Sequence, residues 1–115
     1  AVLAALAASG LPTDAFRFGG FLPPKSAARR RELELLRDSQ ETVILYESPH
    51  RILESLADIA EVLGDPPMVL ARELTKLHEE FLRGTATQIR QTLHARGTVK
   101  GEITLVIGKG DPHPA

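Results

Sequence analysis

The sequence predicts a single α/β domain: a mixed sheet of about five strands flanked by helices. Three observations carry that expectation. The β-branched run at 42–46 and the short apolar runs at 68–71 and 102–107 read as buried strands. Between them lie segments whose apolar residues recur at helical spacing and whose ends carry capping residues. The resulting order is a helix followed by β-α-β-α-β-β-α-β, with no repeat and no linker long enough to divide the chain.

Residues 1–9 are expected to form an apolar helix closed by Gly10, with Pro12 beyond. In 16–22, Phe16 and Phe18 alternate around Arg17 as a short strand, loosened by Gly19-Gly20 and stopped by Pro23-Pro24. Ser26 caps a charged helix to about residue 38, with Ala28, Leu35 and Leu36 inward and Leu33 at the margin. After the strand 42–46, Ser48 serves as N-cap, Pro49 as first helical residue and Gly64 as the C-terminal stop. The stripe of that helix is Ile52, Leu53, Leu56, Ile59, Ala60 and Leu63. Pro66-Pro67 turns into the strand 68–71, and 79–83 returns as the second arm of a hairpin. Thr85 and Gln88 make a capping box for a helix with Ile89 and Leu93 inward and Gly97 at its end. The last strand is 102–107.

The bulk numbers narrow the function classes. The chain has 115 residues, 43% of them hydrophobic and 25% charged, with net charge -1. That is a soluble globular composition without a whole-domain basic field, so any nucleic-acid contact must be a local patch. Cys 0 excludes disulfides and thiolate metal sites and suits a reducing cytoplasm. Residues 1–8 are too short to span a bilayer and lack the basic flank of a signal peptide. The only methionine is Met68, and the chain opens inside a hydrophobic helix, as expected of a domain cut from a longer protein.

Two segments hold more polar functionality than packing needs. In Tyr46-Glu47-Ser48-Pro49-His50-Arg51, a strand end leads into a helix start. Basic residues in a first turn are unfavourable by roughly a few tenths of a kcal/mol. Either an anion binds there or Glu47 neutralises a solvated turn. The second segment, Arg72-Glu73-Leu74-Thr75-Lys76-Leu77-His78-Glu79-Glu80, follows a strand that should be buried. Ligands in open α/β sheets gather at such strand ends, although charges also blunt a solvated hairpin. Lys25, Arg29, Arg30 and Arg31 form a basic cluster on a helix, and Gly108-Lys109-Gly110 lacks the following helix of a phosphate loop. The histidines have no metal-ligand spacing, and no glycine-rich cofactor fingerprint or Ser-His-Asp elbow is visible.

Several runs occur together and in order: Ala8-Ser9-Gly10-Leu11-Pro12-Thr13-Asp14, Phe18-Gly19-Gly20-Phe21-Leu22-Pro23, Tyr46-Glu47-Ser48-Pro49-His50-Arg51, Ala71-Arg72-Glu73-Leu74-Thr75-Lys76 with His78-Glu79-Glu80, and Gly101-Glu102. In these the chain resembles the small-subunit ribosomal RNA 2'-O-ribose methyltransferases of the tetrapyrrole-methylase superfamily. The resemblance implies a two-domain cytoplasmic enzyme, usually a homodimer, that uses S-adenosyl-L-methionine (SAM), no metal, and a cytidine ribose of 16S rRNA or the small ribosomal subunit. Residues 1–110 would be its C-terminal domain with the joining helix, and 111–115 a tail. On that reading the chain alone lacks the SAM-loop domain and is expected to be inactive.

The same resemblance implies that Glu47, Ala71, Arg72, Glu102 and Ile103 line the cofactor side of the cleft. His50, Arg51, Arg72 and Lys76 would meet RNA phosphates as charge-assisted donors. Glu47, Glu73 and Glu79 are the candidates for removing or orienting the hydroxyl proton. Two alternatives remain: a tetrapyrrole-precursor methylase of the same fold, and a non-catalytic interaction domain that docks through the charged hairpin.

Overall fold

The computed structural model describes residues 16–38, 41–75, 77–97 and 99–108. The expected helix at 1–9, the tail at 111–115 and Lys76 lie outside them. The elements are β1 (Phe16–Phe21), α1 (Ser26–Arg37), β2 (Thr42–Glu47), α2 (Ile52–Leu63), β3 (Pro67–Thr75), β4 (His78–Thr85), α3 (Ala86–Arg96) and β5 (Ile103–Ile107). They form a 5-stranded sheet in the order β1-β2-β5-β3-β4. β1 and β2 are parallel, while β5 runs antiparallel to both β2 and β3, and β4 pairs antiparallel with β3. The expected mixed α/β sheet is therefore present.

Register partners share a face, so the pairings sort the side chains. Val43, Leu45, Met68, Leu70, Ile103, Leu105 and Ile107 turn to one face, where they join Leu33 and Leu36 of α1, Ile52, Leu56 and Ile59 of α2, and Ile89 and Leu93 of α3. Each fully buried side chain of this kind contributes about 1.5–3 kcal/mol. Ile44, Ala71 and Val106 belong to the opposite face, packed with Phe81.

Helix α1 departs from the expected pattern. Its inward residues are Arg29, Leu33 and Leu36, whereas Leu35 is exposed and Ala28 only half-buried. A purely apolar stripe could not reveal this, because a charged residue holds one inward position. Arg29 Nε donates to Asp58 Oδ2 of α2 at 2.8 Å, and Arg29 Nη1 donates to the Pro24 carbonyl at 3.1 Å. Ser26 is not the cap either: Lys25 is, and the Ser26 hydroxyl donates to Asp58 Oδ2 at 3.0 Å.

Helix α2 starts later than its sequence implies. Ser48, Pro49 and His50 form a turn in which Arg51 N donates to the Ser48 carbonyl at 3.0 Å and His50 N to Ser48 Oγ at 3.2 Å. Arg51 is the N-cap and Glu54 the acidic residue of the first turn. His50 and Arg51 thus precede the helix instead of occupying its first turn. Gly64 closes α2 in the left-handed conformation, φ 75°. The Thr85–Gln88 capping box of α3 is complete, and Asp65 adds a second acceptor for its first turn through Thr87 N at 2.8 Å.

Candidate functional site

The parallel strands β1 and β2 end beside the start of β5, and the sheet opens there into a pocket of about 710 Å³. Its lining comes from Phe21 and Tyr46, from Glu47, Ser48 and Pro49, and from Gly101 through Thr104. This is the carboxyl edge of the parallel strands, where crossover connections leave a crevice.

A bulge builds the aromatic side. Phe18 pairs with Ile44, but the register shifts so that Gly20 pairs with Leu45 and Phe21 with Tyr46. Gly20 takes φ 70°, a conformation that costs a side chain but not glycine. The extra residue turns both Phe18 and Phe21 to Tyr46's side of the sheet. Their rings meet Tyr46 at 5.3 Å edge-on and 5.4 Å tilted. Phe21 remains 66% exposed, so it offers an aromatic surface at the pocket mouth instead of core packing.

Glu47 forms the polar end. Its side chain is fully buried beside α2, accepting from Ser48 N at 2.6 Å on Oε1 and from the Ser55 hydroxyl on Oε2. Arg51 Nε faces Oε1 at 3.6 Å, an ion pair without a hydrogen bond. His50 is exposed at the outer side of the turn.

β3 supplies the neighbouring row. Across the sheet Glu47 pairs with Ile103, Ile103 with Arg72 and Arg72 with Glu80. Tyr46, Thr104, Ala71 and Phe81 form the adjacent row on the other face. The pairing of β3 with β4 continues through Glu73 and Glu79, so Arg72 and Glu73 lie inside the strand, not at the end expected at residue 71. Arg72 Nε and Nη2 donate to Glu80 Oε1 at 3.3 and 3.0 Å, and Nη1 donates to the Lys100 carbonyl at 3.0 Å. Arg96 Nη1 reaches the same Glu80 oxygen at 2.6 Å. Arg96 beside it, and then Arg72, hold the Glu80 carboxyl below the ordinary glutamate range.

Of the expected site residues, the pocket brings together Glu47, Glu102 and Ile103. Arg72 is the register partner of Ile103 and Ala71 that of Thr104, but neither is part of the lining. Glu73 and Glu79 pair with each other on the hairpin, away from Glu47's face. Within the basic cluster, Arg29 is committed to Asp58, and Arg30 to Asp58 and Glu61, leaving Lys25 and Arg31 exposed. Sequence reasoning missed Phe21, Ser48, Pro49, Gly101 and Thr104 as lining residues. The signal available was three phenylalanines around a Gly-Gly pair, which only a bulge brings to one face.

An open α/β layer with a crevice at its strand ends has the build of domains that bind small molecules there. The family profile of tetrapyrrole (corrin/porphyrin) methylases matches residues 1–90, and the chain belongs to that family. Among curated proteins it is 48% identical over 112 residues to ribosomal RNA small subunit methyltransferase I of Micromonospora olivasterospora, covering 97% of this chain and 36% of the relative. To the protein of the same name from Halalkalibacterium halodurans it is 45% identical over 114 residues, covering 96% and 38%. The chain thus spans well under half the length of these relatives. A solved cobalt precorrin-4 methyltransferase superposes with TM-score 0.63 at 18% identity, covering 93% of this chain and 48% of that one. At that identity the likeness is one of fold.

Proposed function

We propose that this chain is the second domain of a SAM-dependent methyltransferase that modifies the 2'-hydroxyl of a cytidine ribose in 16S rRNA. The observation that carries the reading is its identity of 48% and 45%, across nearly the whole chain, with proteins named as small-subunit rRNA methyltransferases. Membership of a methylase family supports the reaction type.

The residues present suit the cofactor. A pocket of about 710 Å³ exceeds what a nucleoside-sized ligand needs, and the exposed Phe21 ring beside Tyr46 offers an aromatic face for a purine. When bound, SAM supplies the electrophilic methyl group. The chain's own part is to seat the adenosine against Tyr46 and the backbone at Glu102 and Ile103, with Ala71 and Arg72 in the strand behind. The exposed His50, with Arg51 and Lys76, would meet RNA phosphates by short-range charge. Of the three candidate bases, Glu47 belongs to the pocket wall, where its buried carboxylate is held by Ser48 N and the Ser55 hydroxyl and would orient the site instead of taking the proton directly. Glu73 and Glu79 sit on the hairpin and remain the candidates for the base.

The working protein on this reading is a homodimer in the cytoplasm acting on the small ribosomal subunit. No helix among the described residues is long and apolar enough to cross a membrane. The test is methyl transfer from labelled SAM by the whole protein, offered small-subunit RNA and a corrinoid precursor in parallel. Label in the RNA alone supports the reading. Label in the corrinoid alone overturns it.

A further inference from the structure

We propose that Arg72 is a positioning residue that, with Glu80 and Arg96, clamps the Lys100–Gly101–Glu102 turn and so fixes one wall of the pocket. The wall itself has little to hold it. Gly101 and Glu102 are both exposed, and the turn lies between the end of α3 and the start of β5.

Among the described residues, two hydrogen bonds and one close backbone approach secure it, from two consecutive residues of β3. Arg72 Nη1 donates to the Lys100 carbonyl at 3.0 Å. Glu73 N donates to the Glu102 carbonyl at 3.1 Å. Gly101, at φ 92°, lies so close to β3 that a Cβ there would stand 2.2 Å from the Glu73 carbonyl oxygen. The backbone of the wall is thus pressed flat on the strand, a position that only glycine allows.

Two of those contacts are local to the backbone, whereas the Arg72 contact depends on where the guanidinium points. Two of its nitrogens are fixed on Glu80 Oε1, and Arg96 holds that same oxygen from α3. The Arg72 side chain is 15% exposed and its bonds to Glu80 are half-buried, while the Arg96 bond and the bond to Lys100 lie at the surface. A planar guanidinium bonded along one edge presents its remaining nitrogen in a fixed direction, here toward Lys100. A lysine has one nitrogen and cannot span both partners in that geometry.

The inference rests on the proposed SAM site, and the experiment separates the two. Arg72→Lys and Glu80→Gln are made in the whole protein, with Ile89→Val as a control that destabilises the core remotely. Three quantities are read: thermal midpoint, SAM affinity by calorimetry, and hydrogen exchange at the Glu73 amide. Arg72→Lys is expected to weaken SAM binding about tenfold and raise KM for SAM more than it lowers kcat. Glu80→Gln should act in the same direction by a smaller factor, and it decides the matter if Arg72→Lys does not fold. Exchange at Glu73 should quicken in both, while Ile89→Val lowers the midpoint and leaves affinity unchanged. The proposal is overturned if both clamp variants lower the midpoint as the control does but bind SAM like the wild type. If the wild-type protein binds no SAM, the functional reading fails instead, and exchange at Glu73 still decides whether the clamp exists.

Discussion

The Glu47 carboxylate and the Ser55 hydroxyl bond across the junction of β2 and α2, both side chains buried, while the other carboxylate oxygen accepts Ser48 N at 2.6 Å. The end of a pocket-lining strand is thereby tied to the helix that follows it. Glu47→Ala leaves a buried hydroxyl and an amide without their acceptor, each costing about 1–3 kcal/mol. Denaturant unfolding should show a loss of about 2–4 kcal/mol. A loss below about 0.5 kcal/mol, the scale of an ordinary surface substitution, would contradict the tie.

The Arg29–Asp58 pair makes a second stability prediction. Arg29 is 1% exposed, and removing it strands a buried carboxylate. Such a break costs about 3–5 kcal/mol. Arg30 and Ser26 still reach Asp58, at 3.1 and 3.0 Å, so Arg29→Met should fall at the lower end. In a double-mutant cycle with Asp58→Asn the two losses should be strongly non-additive. Simple additivity would refute the coupling.

Glu80 sets an acid-side dependence. Its folded pKa is lowered, first by the hydrogen bond from Arg96 and then by Arg72. A lowered folded pKa gives stability that is full above the unfolded glutamate value and is lost as pH falls through the folded one. Wild type should therefore lose stability on acidification below the ordinary glutamate range more steeply than Glu80→Gln does. Parallel curves of thermal midpoint against pH would count against this.

The aromatic mouth should matter to ligand more than to folding. Tyr46 meets exposed Phe21 and Phe18, and stacking of a purine there is worth about 1 kcal/mol, or roughly fivefold in affinity. Phe21→Ala should weaken SAM binding by about that factor while changing the thermal midpoint little, since Phe21 is 66% exposed. Unchanged affinity would remove the ring from the site.

RNA contact through the strand–helix turn is open to a salt titration. Replacing His50 and Arg51 with alanine should weaken RNA binding and lower the slope of log affinity against log salt by about one. An unaltered slope would place the phosphate contacts elsewhere.

Much of this architecture was legible because it depends on local rules. The Thr85–Gln88 box, Gly64, and the β-branched strands each announce themselves within a few residues. Arg29 did not, because its partner Asp58 lies on another helix and an apolar stripe omits charged core positions. The late start of α2 was hidden because Ser48 and Pro49 suit a turn as well as a cap, and the hydroxyl serves His50 N. For the site, Glu47, Glu102 and Ile103 were named through the family resemblance, while Phe21 reached the pocket only through the bulge at Gly20. Arg72's tie to Lys100 spans the hairpin, a helix and a turn, and no local pattern encodes it.

The central claim is tested most directly by nucleoside mass spectrometry of small-subunit rRNA from cells with and without the gene. The account predicts that one 2'-O-methylcytidine disappears on deletion and returns with the wild-type gene. Persistence of every 2'-O-methylcytidine in the deletion strain would contradict it.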